Sequence, residues 1–259
     1  LAPLKDKSFM IFIFSRPEKL TSLAVRYYTF YMVNDELLIE NNVKTLLATI
    51  PKVNAYGEEI TIAAASKTRT IEEMHRALSS GITVFGENKA QEFRDKYPFF
   101  KGADYRFFGR LQSNKIKYLI GKCSLIESVD SLRLAEEISK LSKRAGVTTD
   151  ILIEVNQGEE EKGGVCFQDV FELFSKASSL ENIRVKGLMT VMPELSFEII
   201  REKCLQTRNL YDIIKNEFDG VSVLSMGMSH DYEIAVNCGS NCVRLGEAIF
   251  GKRDYSKIN

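Results

Sequence analysis

The sequence predicts an α/β protein, a single (β/α)8 TIM barrel with one extra leading helix. Three observations carry that reading. About eight short apolar runs alternate with helical stretches, the pattern of parallel strands joined by helices. The 259 residues match the length of one such barrel. Most apolar runs are followed at once by glycine, asparagine, serine or a charge, as expected of strand ends that face a common mouth. An open doubly wound sheet is the competing architecture. No Gly-x-Gly-x-x-Gly follows the first strand, however, and Gly163-Gly164 is no dinucleotide fingerprint.

The regular pattern begins at Asn34. Leu37, Leu38, Val43, Leu46, Leu47 and Ile50 predict an amphipathic leading helix that Pro51 stops. The first strand spans 61–66, and the helix behind it runs over 70–79 and ends at Gly81. The second strand covers 82–85 and its helix 87–96. A third strand at 105–108 precedes a short helix at 114–120. The fourth strand, 125–128, leads into a helix from Ser131 to Arg144 that Gly146 terminates. The fifth and sixth strands fall at 150–155 and 185–189, with helices over 167–179 and 197–216. The seventh strand, 221–225, is followed by a helix near 232–236. The last, 242–245, has a short segment from Ala248 behind it. No low-complexity linker divides this stretch, so 32–259 reads as one domain. Residues 1–31 read as an upstream extension. Their apolar run, Phe9 to Phe14, is shorter than a signal-peptide core, is broken by Ser15-Arg16-Pro17, and is far too short to span a membrane. Met32 opens the part that looks like a protein start.

Composition narrows the function. The 35 basic and 35 acidic side chains cancel, so nothing argues for nucleic acid or a membrane surface. Cys123, Cys166, Cys204, Cys238 and Cys242 are odd in number and form no Cys-x-x-Cys pair. With only His75 and His230 beside them, no metal site is expected. They read as reduced thiols of a cytoplasmic protein.

Chemistry in such a barrel collects at the C-terminal ends of the strands. There the sequence places Ser66-Lys67, Gly86-Glu87-Asn88, Gly109-Arg110, Ser128-Val129-Asp130, Asn156, Thr190, Ser225 to Ser229, and Arg244-Leu245-Gly246. Lys67 is either a solvated lysine opening a loop or an amine nucleophile. In the second case the surrounding walls would lower its pKa and ready it for a carbonyl ligand, for which pyridoxal 5′-phosphate (PLP) is the obvious aldehyde. Ser225, Ser229 and the N–H groups of Gly227, Gly246 and Glu247 are either the donors of a phosphate site or part of plain tight turns. Arg244 is either a buried partner of a carboxylate or a donor to a ligand. Opposite a pyridine nitrogen it would keep that nitrogen unprotonated and the ring a weak electron sink. The charged run Glu159 to Lys162 reads as a solvated face. His75 reads as a surface or structural residue, and His230 as a modest contributor beside the phosphate loop.

Ala65-Ser66-Lys67-Thr68, Phe85-Gly86-Glu87-Asn88, Phe108 to Lys115, Ser128 to Ser131, Gly187 to Thr190, Ser225 to Ser229 and Val243 to Gly246, in this order, resemble the pyridoxal phosphate homeostasis proteins. These are similar to the N-terminal barrel of alanine racemase. The resemblance runs from about Asn34 to Tyr255. It implies a Schiff base between PLP and Lys67, Asn88 near the ring, and Arg244 at the pyridine nitrogen. It also implies Ser225, Met228, Ser229, Gly246 and the backbone of Glu247 around the phosphate. Glu247 stands where many members carry Thr or Ser, which puts the side-chain part of the phosphate contact in question. Arg110 departs from the family's usual residue as well.

The resemblance further implies a monomer that buffers PLP or delivers it to apoenzymes, with no catalytic residues of its own. The separate β-domain that supplies alanine racemase with its second base has no counterpart in the sequence. The alternatives are a PLP-dependent racemase or lyase, and a barrel enzyme that uses Lys67 on a phosphorylated metabolite without a cofactor.

Overall fold

The computed structural model describes residues 37–159 and 162–252. The extension 1–31, with its apolar run, and Glu160 and Glu161 of the charged loop lie outside them. Alternation with period two sets the strands. In β1 (Thr61–Ala65), Ile62 and Ala64 pack outward against the helices, while Ala63 and Ala65 face inward. The same division holds for β2 (Val84–Glu87), β3 (Asp104–Phe107) and β5 (Thr149–Asn156). In β4 (Ile126–Val129) and β7 (Ile183–Thr190) a register shift interrupts it, so that Ile126 and Val129, and Val185 and Leu188, all pack outward. It returns in β8 (Val223–Ser225) and β9 (Cys242–Leu245). These eight strands pair in parallel in chain order, and the pairings β9–β1 and β4–β5 close the ring. A ninth strand, β6 (Val165–Cys166), is unforeseen. It adds to Val155 and Asn156, beyond the last β4–β5 pair at Ile153.

The helices are α1 (Leu38–Thr49), α2 (Ile71–Ser79), α3 (Ala90–Lys96), α4 (Leu132–Ala145), α5 (Val170–Ser178), α6 (Phe197–Glu217), α7 (Tyr232–Asn237) and α8 (Glu247–Phe250). Their ends follow local chemistry. Thr70 and Glu73 form a reciprocal capping box on α2, with N–H···O distances of 3.1 and 2.7 Å. Gly146 takes φ 67° and ends α4, as its place in the sequence predicts. The main apolar core lies between the strands and this helical shell.

Several boundaries differ from the sequence reading. The helix expected from 87 starts at Ala90, because Glu87 is the last residue of β2 and is fully buried. The segments expected as helix at 114–120 and at 167–169 are 3-10 turns. β2 and β8 each start two residues later than expected; the Ile82 N–H is already taken by the Ala77 carbonyl at the end of α2. In α1, Ile39, Val43 and Leu46 form the buried face, whereas Leu37, Leu38 and Leu47 are exposed. The leading helix is held through Asn42, which donates to the Ile249 carbonyl at 3.0 Å, and through Glu40, paired with Arg76 at 2.8 Å.

The inside of the barrel is unusually polar for a fold whose interior is commonly filled by branched aliphatic side chains. Ala63, Val84, Phe108 and Cys242 form one apolar patch, and Leu125, Leu152 and Met189 another. Between them a polar column climbs toward the mouth. Asp104 holds Arg106 at 2.7 Å, and Arg106 reaches Glu127 at 3.5 Å. The Ser225 hydroxyl donates to Glu127 at 2.5 Å and accepts from Arg244 at 2.7 Å.

Candidate cofactor site at the barrel mouth

Lys67 takes the next inward position of β1 after Ala63 and Ala65. It is half-buried, in a turn closed by the Arg69 N–H on the Ser66 carbonyl at 3.0 Å. Thr68 accepts a left-handed φ of 65° in that turn, a conformation that costs a non-glycine residue free energy. Lys67 is thus carried by a fixed backbone turn at the end of β1 rather than by a free loop.

Arg244 enters the mouth from β9, next to β1 in the ring. It is 5% exposed. One guanidinium nitrogen donates to the Ser225 carbonyl and hydroxyl at 2.9 and 2.7 Å, and the other donates to the Thr190 carbonyl at 2.7 Å. A guanidinium has five N–H donors. Three are spent on these acceptors, and two have no acceptor among the described residues. No carboxylate among the described residues pairs with it directly; Glu127 is reached only through the Ser225 hydroxyl.

That relay also fixes where Ser225 points. Alternation along β8 turns its side chain into the barrel, where it is fully buried and its one proton goes to Glu127. Its hydroxyl oxygen accepts from Arg244 and so orients the guanidinium. Ser229 does face that loop: its hydroxyl oxygen collects the Gly246 and Ala248 N–H groups at 3.2 and 3.1 Å. Met228 holds the turn itself, accepting from the Asp231 and Tyr232 N–H groups at 3.1 and 2.9 Å. A Cβ at Gly246 would make ordinary contact with Ala65, 3.6 Å from its carbonyl oxygen, so packing does not demand a glycine there. The Glu247 carboxylate faces His230 at 3.8 Å. The amine, the spare guanidinium donors and the Ser229–Gly246 loop form a donor set that suits an aldehyde carrying a ring nitrogen and a phosphate.

Asn88, half-buried at the end of β2, borders a 200 Å³ cavity with Arg110 and Glu154. The segments on either side are fixed: Phe108 N–H donates to the carbonyl of Glu87, the residue before Asn88, at 2.8 Å, and the Ser128 hydroxyl donates to the Gly109 carbonyl at 2.5 Å. Asn156 borders the same cavity. Its side chain organises the following loop, donating to the carbonyls of Glu159, Lys162 and Gly163 and accepting from Gly158 and Glu159 N–H. His75 stacks on Phe100 on the surface, 4.7 Å between centroids. All five cysteines are free, and no metal-binding cluster occurs among the described residues.

The sequence reading missed Arg106, Glu127 and Glu154. The signal was present: each is a charge inside a short apolar strand, at an inward position. Burial pushes Glu154 up to about 7, with Arg244 and Arg110 pulling back and Asp130 adding to the rise. A carboxyl raised on folding binds its proton more tightly in the native state. Its penalty is absent below its ordinary value near 4.5 and grows as pH rises through 7. Glu154→Gln is therefore expected to stabilise the protein at pH 8, by up to about 3 kcal/mol, and to change nothing at pH 4.5. Thermal melts of both proteins across that range check it; a gain at acid pH would contradict it.

The sequence model described as "Alanine racemase, N-terminal domain" matches residues 38–254. The pyridoxal phosphate homeostasis protein of Aquifex aeolicus is 44% identical over 199 residues, covering 75% of this chain and 87% of that one. The chain belongs to the pyridoxal phosphate homeostasis family. The Escherichia coli K12 family member is 34% identical over 207 residues, 77% of this chain and 88% of its own. The family's barrel is seen in PipY of Synechococcus elongatus, whose structure with PLP bound superposes with a TM-score of 0.75. The identity is 26%, over 82% of this chain and 100% of PipY. An alanine racemase of Clostridium difficile shares the fold, with a TM-score of 0.71 and 16% identity over 85% of this chain and 60% of the racemase.

Proposed function

We propose that this chain binds PLP as a Schiff base on Lys67 and buffers the cofactor or hands it to PLP-dependent apoenzymes, as a cytoplasmic monomer without turnover of its own. The observation that carries the reading is the convergence at one mouth of Lys67, the two unspent donors of Arg244 and the Ser229–Gly246 loop, in a chain of this family. The relative PipY was solved with PLP, and the relatives named above are homeostasis proteins. When bound, PLP supplies an aldehyde to the amine and a ring nitrogen to the guanidinium. Arg244 keeps a positive charge at that nitrogen, which disfavours its protonation and leaves the ring a weak electron sink. Such a site holds the cofactor without driving carbanion chemistry. The function is assigned to the segment from Met32 onward. Nothing in the site calls for nucleic acid, and among the described residues no helix is long and apolar enough to cross a membrane.

The test is an absorbance spectrum of the purified protein with added PLP, wild type against Lys67→Ala, before and after borohydride. A visible imine band that borohydride bleaches while leaving the cofactor covalently fixed on Lys67, and that the variant lacks, is the expected result. A colourless wild type would remove the cofactor and favour a metabolite enzyme using Lys67. Steady racemisation or elimination of an amino acid, lost in Lys67→Ala, would replace the carrier by an enzyme.

A further inference from the structure

Behind the strand that carries Lys67, between β1–β3 and α3, lies a buried ionic cluster. Lys96 is 8% exposed and spends all three ammonium protons: on the Ser66 carbonyl at 2.7 Å, on Glu87 at 2.8 Å and on Glu92 at 2.7 Å. Ser66 is the residue before Lys67. The oxygen of Glu92 that meets Lys96 also accepts the N–H of Thr68, the residue after Lys67, at 2.5 Å. One ammonium group and its carboxylate partner therefore grip the Lys67 turn on both sides.

Glu87 ties the grip to the barrel. One of its oxygens receives Lys96, the Ser66 hydroxyl at 2.8 Å and the Tyr105 hydroxyl at 3.1 Å, while the other is buried with no partner among the described residues. Burial raises the Glu87 carboxyl, and the Lys96 charge works against that rise. A buried arrangement of this kind is costly to assemble and strongly specifies one geometry when satisfied. The geometry it specifies here is that of the strained turn with Thr68 at φ 65°.

We infer that Lys96, with Glu92, is a positioning residue for Lys67: it holds the Ser66–Thr68 backbone so that the Lys67 amine meets the carbonyl ligand in attacking geometry. This inference rests on the proposed attachment of PLP to Lys67. A misdirected nucleophile loses rate steeply even when the rest of the fold is intact.

The experiment compares wild type, Lys96→Met, Lys96→Arg and Glu92→Gln by three measurements. These are the thermal midpoint, the rate at which added PLP becomes borohydride-fixable on Lys67, and the acylation of Lys67 by acetic anhydride in the PLP-free chain, located by mass spectrometry. Lys96→Met is expected to slow fixation about tenfold or more and to change Lys67 acylation at temperatures where the protein stays folded. Lys96→Arg is expected to recover part of the rate. Glu92→Gln, which leaves Lys96 on Glu87 and Ser66, is expected to show a smaller loss, and it keeps the test available should Lys96→Met not fold. A lowered thermal midpoint with unchanged fixation and acylation would overturn the inference and make the cluster purely structural. Failure of wild type to form any fixable adduct would instead sink the proposed function, a distinct outcome.

Discussion

Arg244→Met is expected to weaken PLP binding and to lower stability together, while leaving Lys67 able to form a borohydride-fixable adduct at high PLP concentration. The substitution removes three charge-assisted hydrogen bonds inside the barrel, to the carbonyls of Ser225 and Thr190 and to the Ser225 hydroxyl. Buried acceptors stripped of partners cost about 1–3 kcal/mol each before relaxation, so a net loss of about 3 kcal/mol is reasonable. For a domain of this size that lowers the melting temperature by roughly 6–12 °C. The Met side chain fills much of the volume, so the loss reads out polar bonding rather than a cavity. Ser225→Ala separates the two roles of Arg244. It breaks the relay to Glu127 but leaves the guanidinium on the Ser225 and Thr190 carbonyls. Its stability loss is expected to be smaller, about 1 kcal/mol. Calorimetric melts and PLP titrations of both variants decide the matter. An Arg244→Met protein with wild-type stability and affinity would show that the polar column neither supports the barrel nor faces the ligand.

The fold was legible because both periods are written plainly. Runs such as 61–65, 150–155 and 242–245 are bounded by turn residues, and α4 carries its own cap and its own terminating glycine. Boundaries drifted where a polar residue belongs to a strand for tertiary reasons. Glu87 looks like a helix start by composition, yet it closes β2, because Ser66, Lys96 and Tyr105 supply it with donors from three other elements. The candidate ligand residues were legible as motifs at strand ends. The groups that orient them were not, since nothing local marks Lys96 as reaching the Ser66 carbonyl, thirty residues away in sequence. Ser225 shows it again: its position near the loop suggests a phosphate donor, and spacing does not disclose the bond it accepts from Arg244 inside the barrel. Glycines 86 and 109 sit inside those motifs for a reason that spacing alone does not disclose, and that reason leads to the sharpest steric expectation.

Gly109→Ala is expected to damage the site more than Gly86→Ala, although both close approaches are equally short. A Cβ at Gly109 would lie 2.1 Å from the backbone oxygen of Asn88 and 2.6 Å from its carbonyl carbon and Cα. No rotamer relieves contact with backbone, so the ends of β2 and β3 must part and carry Asn88 away from the mouth. A Cβ at Gly86 would lie 2.1 Å from the ring of Phe108, a side chain that can yield at the expense of its inner packing. Overpacking of this kind costs roughly 1–3 kcal/mol, with the backbone case at the upper end. The two mechanisms predict different double mutants. Phe108→Leu is expected to restore much of the stability lost in Gly86→Ala, a coupling of about 1 kcal/mol or more, because it removes the atoms that clash. The same replacement is expected to leave Gly109→Ala unrelieved, since its obstacle is the Asn88 peptide. PLP affinity should follow the same order, lowest in Gly109→Ala. Equal rescue of both glycine variants by Phe108→Leu would mean that the loop after β3 moves as a unit with the ring, and that Asn88 is not held by Gly109 at all.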